Sequence, residues 1–144
     1  MLGQVVIRRL IAQQGAMVLL DEVLGWDEVE ITCAARSHLD ANNPLRRGGR
    51  LGAACGIEYG LQAAAVHGAL LAGTTPLAAG FLAALRGVAL HVERLDDPRF
   101  GVLGVRARLE GRGSGGFAYM FRVAGPGGDC LVEGHGLIAL ATAR

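Results

Sequence analysis

Four polar side chains stand in apolar surroundings where proton chemistry has a use for them. Glu58 and Gln62 lie four residues apart in "GIEYGLQAAAVHGALL", so a helix puts both on one face, a turn apart. A carboxyl group in so apolar a helix should titrate above its ordinary range, which suits an acid that must hold a proton near neutrality. The bland alternative is a buried polar pair. Gln13 and Gln14 open the stretch "LIAQQGAMVLLDEV". An amide there can hydrogen-bond a carbonyl or hydroxyl group, but it cannot accept a proton from carbon. A base must therefore come from elsewhere, and the histidines are His38, His67, His91 and His135.

Of these, His38 is the substitute base the sequence favours, because it begins the loop leading to the helix. It reads more readily as a structural or solvent-exposed residue than as a catalytic one. His67 lies nine positions beyond Glu58, on the opposite helix face at about 100° per residue. His91 points outward beside Glu93 if its strand alternates, and His135 falls on a late strand. The four are too scattered for a metal site, and none is expected. No nucleophile-elbow or phosphate-loop pattern is present.

The elements that must position these residues follow from composition and pattern. The chain has 144 residues, 51% hydrophobic and 19% charged, with a formal charge of +1. One domain spanning 1–144 with a substantial core is expected, and the charge gives no reason to expect nucleic acid. Cys33, Cys55 and Cys130 are odd in number and widely spaced, and read as reduced thiols of a cytosolic protein. The opening "MLGQVVIRRL" offers no secretory signal. Residues 51–73 approach the length of a membrane span, but Glu58, Gln62 and His67 interrupt them, which favours a helix buried in protein.

Most of the rest alternates as strands. "EVEITCAAR" puts Val29, Ile31, Cys33 and Ala35 on one face. "GVALHVERL", "GVLGVRARLEGR", "GFAYMFRVAG" and "CLVEGHGLIAL" follow, with turns at "GRGSGG" and "GPGGD". The order is two strands, a loop with Asn42, Asn43 and Pro44, a long apolar helix at about residues 52–72, and four strands. A helix with almost no polar face needs covering nearly all round, so the class is α+β. Periodicity alone leaves a helix–sheet sandwich and a sheet curved around the helix equally open.

Two motifs decide between them by resemblance. "AQQGAMVLLDEV" resembles the N-terminal signature of the 3-hydroxyacyl-acyl-carrier-protein dehydratases, Pro-His-Arg followed by an apolar strand ending Asp-Arg-Val. "GIEYGLQAAAVHGALL" resembles their second signature, Glu followed four residues later by Gln. "GAMVLLDEV", "GIEY", "AVHGALL" and "LHVERLDD" are similar to stretches in the aryl-polyene branch of that family. The resemblance implies the hot-dog fold, a curved antiparallel sheet wrapped around one long helix. It also implies a place in fatty-acid or polyketide/aryl-polyene-type biosynthesis.

The activity implied is loss of water from a 3-hydroxyacyl thioester on the phosphopantetheine of an acyl carrier protein or coenzyme A, without a further cofactor. Glu58 takes the place of the family's acid, while Gln13 stands where the base His belongs, Gln14 for Arg and Ala12 for Pro. Losing a positioned base typically costs ~10²- to 10⁴-fold in rate. Gln62, Cys55, Gly56 and Ala54 fall where the substrate would bind, with backbone N–H groups near Ala54 to Gly56 placed to polarise its carbonyl. Gly48, Gly49 and Gly52 read as loop and packing glycines, and Arg46, Arg47 and Arg50 as solvated residues or a carrier-protein contact.

The resemblance further implies a dimer, homomeric or with a related dehydratase, in which two helices meet at Ala63, Ala64 and Gly68. Base and acid would come from different protomers. Three classes stay open: a dehydratase with an altered or borrowed base, a non-catalytic subunit of an acyl-chain complex, and a thioesterase using Glu58.

Overall fold

Seven antiparallel strands form one sheet in the order β1-β2-β3-β5-β6-β7-β4, and a single long helix lies against it. The computed structural model describes residues 2–73, 80–113 and 115–140. In chain order the elements are β1 (Leu2–Gly3), α1 (Gln4–Leu10), β2 (Glu22–Trp26), β3 (Glu30–Ala35), α2 (Gly56–Leu71), β4 (Gly80–Leu90), β5 (Leu103–Gly113), β6 (Gly116–Ala124) and β7 (Cys130–Leu140). Single 3-10 turns occupy Gly15–Met17, Ser37–Leu39 and Ala53–Cys55. This is the α+β hot-dog arrangement, with α2 against β3, β5, β6 and β7.

The alternation read in "EVEITCAAR" is realised by Ile31, Cys33 and Ala35, all fully buried. Val29 departs from it and is exposed. It sits in the turn where the Asp27 carboxylate accepts the Val29 and Glu30 N–H groups, before the ladder begins. The helix starts as expected: the Ala53–Cys55 turn runs into α2. Among the described residues no helix is long and apolar enough to cross a membrane.

Three features differ from the sequence reading. Gln4–Leu10 forms α1, which puts Ile7 and Leu10 into the core. Its last turn holds Arg8 and Arg9, favourable charges at a helix C-terminus. The apolar run after Gln14 is a 3-10 turn and an extended stretch before it becomes β2 at Glu22. The strand placed at 87–95 lies earlier, at Gly80–Leu90. Beyond it, Ala53 N–H bonds to the Glu93 carbonyl and Leu95 N–H to the Leu51 carbonyl, so residues 93–95 lock onto the entry to α2 instead of β7.

The small-residue face of α2 is also used differently. Ala63, Ala64 and Gly68 are buried in the chain's own core rather than offered to a second helix. The partly open stripe is Ile57, Glu58, Leu61 and Ala65.

Candidate functional site

The segment 13–19 is laid across α2 by Gln62. This side chain is fully buried, and its two ends hold two backbone groups. Its Oε1 accepts the Leu19 N–H at 2.9 Å, and its Nε2 donates to the Met17 carbonyl at 2.6 Å. A second clamp is built on Tyr59, one residue past Glu58. The Tyr59 hydroxyl meets Ser37 Oγ at 2.7 Å and accepts from Asn43 Nδ2 at 3.1 Å, while Ser37 Oγ donates to the Leu19 carbonyl at 2.7 Å. Burial pushes the Tyr59 phenol up to about 12, so it acts as a neutral hydrogen-bonding group. The two clamps fix the extended stretch between the Gly15–Met17 turn and β2 to the first turns of the helix.

The result is a direct contact between the two residues on which the chemistry turns. Gln13 Nε2 donates to Glu58 Oε1 at 3.2 Å within one chain. Gln62 Nε2 approaches the same oxygen at 3.4 Å. Oε2 of Glu58 has no partner among the described residues, and the residue is half-buried on the open stripe of α2. A ligand hydroxyl or carbonyl placed here would meet one carboxyl oxygen and one amide. The geometry offers hydrogen bonds and one titratable carboxyl group, with no second titratable side chain hydrogen-bonded to it among the described residues.

The other expected site residues are spread around this pair. Cys55, Ala54 and Gly56 form the entry to α2, with Ala54 exposed and Cys55 half-buried. Cys55 Sγ lies 3.8 Å from the Leu45 carbonyl, and burial raises its thiol. Gly56 is held by packing: a Cβ there would come within 2.8 Å of the Val132 side chain. His38 is fully buried, its Nε2 donating to the Phe100 carbonyl and its Nδ1 without a partner among the described residues. Burial lowers its basicity, and its bonds do not include Glu58.

His67 is on the far side of α2, between the Tyr119 hydroxyl at 2.7 Å and the Asp27 carbonyl at 2.8 Å. His91 points outward as expected, but its partner is Glu133 rather than Glu93. His135 pairs with Glu110. Arg46 is taken up inside the protein, bound to Asp96 at 2.9 Å and to the Asp40 and His38 carbonyls. Arg47 and Arg50 pair across a tight turn made by Gly48 and Gly49, both at positive φ, and stay exposed. Ser37, Asn43 and Tyr59 were not singled out by sequence as site residues, although Asn43 stands in the loop read before the helix.

The family model described as ApeP-like, ApeP dehydratase, matches residues 5–135. No curated protein matches the sequence. Among solved structures, the dehydratase heterocomplex ApeI:P from Xenorhabdus doucetiae superposes with a TM-score of 0.80 at 21% identity, over 95% of this chain and 91% of that one. AziG of S. sahachiroi gives 0.62 at 12% identity over 88% and 94%. The E. coli PaaI protein from the phenylacetic acid degradation operon gives 0.60 at 12% over 82% and 81%. These similarities rest on the shared fold.

Proposed function

Because the chain belongs to the ApeP-like dehydratase family, we infer that it binds a 3-hydroxyacyl thioester at Gln13 and Glu58 and serves as one subunit of a dehydratase whose base is a partner's histidine. The observation that carries this reading is the Gln13 Nε2 to Glu58 Oε1 contact at 3.2 Å. Loss of water needs a base for the C2 proton and an acid for the departing C3 hydroxyl. Glu58 is the acid, and Gln13 holds the substrate carbonyl or hydroxyl group by its amide. Neither residue can take the C2 proton while Glu58 serves as acid.

The partner reading draws on three supports. Dehydratase ApeI:P is a heterocomplex. Glu58 lies on the stripe Ile57, Leu61 and Ala65 that the chain's own elements leave partly open. The edge strand β4 beside it exposes Leu82, Leu85, Val88 and Leu90. A related subunit pairing along β4 would cover this stripe and bring a histidine to Glu58. The substrate arrives as a thioester on the phosphopantetheine of an acyl carrier protein or coenzyme A. The exposed Arg47 and Arg50 suit the acidic surface of such a carrier.

The test follows dehydration of 3-hydroxyacyl carrier protein by mass spectrometry. The chain alone gives little product, and co-expression with a His-bearing relative gives clear product. Glu58→Ala lowers the rate of the pair. In the chain alone, Gln13→His raises the rate ~10-fold or more, and Glu58→Ala in that background removes the gain. A pair that keeps its full rate with Glu58→Ala shows that the partner works alone. Release of free thiol in place of water would show a hydrolase.

A further inference from the structure

Residues three apart on a regular strand point to opposite faces of the sheet, so Cys130 and Glu133 should be separated by β7. They are not, because the ladder skips a residue between them. Val123 of β6 pairs with Val132, but its neighbour Ala124 pairs with Cys130. The extra residue, Leu131, turns into the core at 3% exposure. Cys130 comes round to the outer side, where Glu133 stands. Bulges are a recurrent means of re-aiming a side chain next to a functional site.

The third member comes from the end of β4. The His91 N–H donates to the Leu131 carbonyl at 2.9 Å, which anchors His91 across from the bulge. Its Nε2 lies 2.8 Å from Glu133 Oε2. One nitrogen, one sulfur and one carboxylate oxygen thus lie within 4.8 Å of one another, among residues that share nothing with Gln13 and Glu58. His91 and Cys130 also border an open hollow of about 510 Å³ with Arg99, Phe100 and Leu131.

We propose that His91, Cys130 and Glu133 bind a divalent transition-metal ion of zinc type, with its fourth position open toward this hollow. Tetrahedral Zn²⁺ takes thiolate, imidazole and carboxylate ligands at roughly 2.0–2.3 Å, which sets its donors roughly 3–4 Å apart. The three donor atoms already lie within 4.8 Å of one another, near that spacing. Sulfur and nitrogen donors favour zinc, cobalt or nickel over magnesium or calcium. The thiolate and the carboxylate balance the two charges of the ion.

Arg122 is the ladder partner of Glu133 on β6. The site lies apart from the acid chemistry and is a locus for a bound ion or for a small ligand that completes its coordination.

The experiment uses the purified chain, reduced and stripped with chelator, titrated with Co²⁺ while the thiolate-to-cobalt charge-transfer absorption is recorded. One ion per chain binds with that band, Zn²⁺ displaces it, and Mg²⁺ does not. Cys130→Ser removes the band. His91→Ala and Glu133→Gln weaken binding at least ~10-fold, on the scale by which metal-site substitutions act. Cys55→Ser leaves it unchanged. Thermal unfolding of each stripped variant establishes that it is folded. No band in the unsubstituted chain, a band that survives Cys130→Ser, or one lost in Cys55→Ser overturns the proposal and leaves an exposed His91–Glu133 ion pair.

Discussion

Gln13 and Gln62 are the same residue type set to different tasks. Gln62 is enclosed, with both ends of its amide bound to the backbone of residues 17 and 19. Gln13 is half-exposed and touches Glu58. His38 is a third kind of polar residue, buried with one ring nitrogen unpartnered among the described residues. Burial lowers its pKa from the ordinary 6.5, against smaller opposing effects from the Phe100 carbonyl and from Asp21 and Asp96, and Arg46 lowers it further. The unfolded chain therefore takes up this proton before the folded one does. Stability is complete above about pH 6.5 and declines as pH falls through that value toward the folded pKa.

Urea midpoints measured from about pH 7.5 down to about pH 5 should fall, and His38→Gln, whose amide can still donate to Phe100, should flatten the decline. Asp96, held far below the ordinary carboxylate range first by Arg94, loses its contribution only in stronger acid, so the two groups do not share a window. Glu58 and Gln62 were legible from their spacing, and Gln13 from the motif it interrupts. The clamp of Ser37, Asn43 and Tyr59 was not, because it joins a loop to a helix through contacts that no local pattern encodes.

At the scale of elements, α2 illustrates a conflict between propensity and packing. Gly60 lies inside the helix, where alanine is intrinsically better by about 1 kcal/mol. A Cβ there would stand 2.4 Å from Phe121 Cδ1 and 2.7 Å from Phe121 Cβ, and that ring is fully buried against the helix. Overfilling so dense a core costs about 1–3 kcal/mol, more than propensity returns. Gly60→Ala should therefore lower the urea unfolding midpoint, and Phe121→Leu added to it should recover part of the loss.

The strands β5, β6 and β7 were legible because each alternates between glycine-rich turns. α1 was not, because seven residues carry too short a period, and the Ile7–Leu10 spacing was its one signal. The early start of β4 escaped because "GFLAAL" is apolar throughout and has no alternation to separate it from what precedes it.

For the whole molecule, the free side of β4 is the feature that matters most. An edge unpaired among the described residues, with exposed Leu82, Leu85, Val88 and Leu90 and extended by Leu137 of β7, is a surface that water covers poorly. Two-fold pairing along β4 should make the purified chain sediment at about twice its 14.9 kDa. Leu85→Lys with Val88→Lys should return it to the mass of one chain while circular dichroism stays unchanged. A monomer in the unsubstituted protein at micromolar concentration would count against the paired arrangement.

The strand order has a further consequence in time. β4 has its only ladder partner among the described residues in β7, and β3 takes β5 as its second neighbour. During synthesis from the N-terminus, the leucines of β4 emerge while the strand that must pair with it is still unmade. Such delayed closure of distant contacts slows folding and leaves apolar chain in need of protection. A ribosome paused before β7 would therefore hold a nascent chain that chaperones can still capture, and release of the last strand would end that interval.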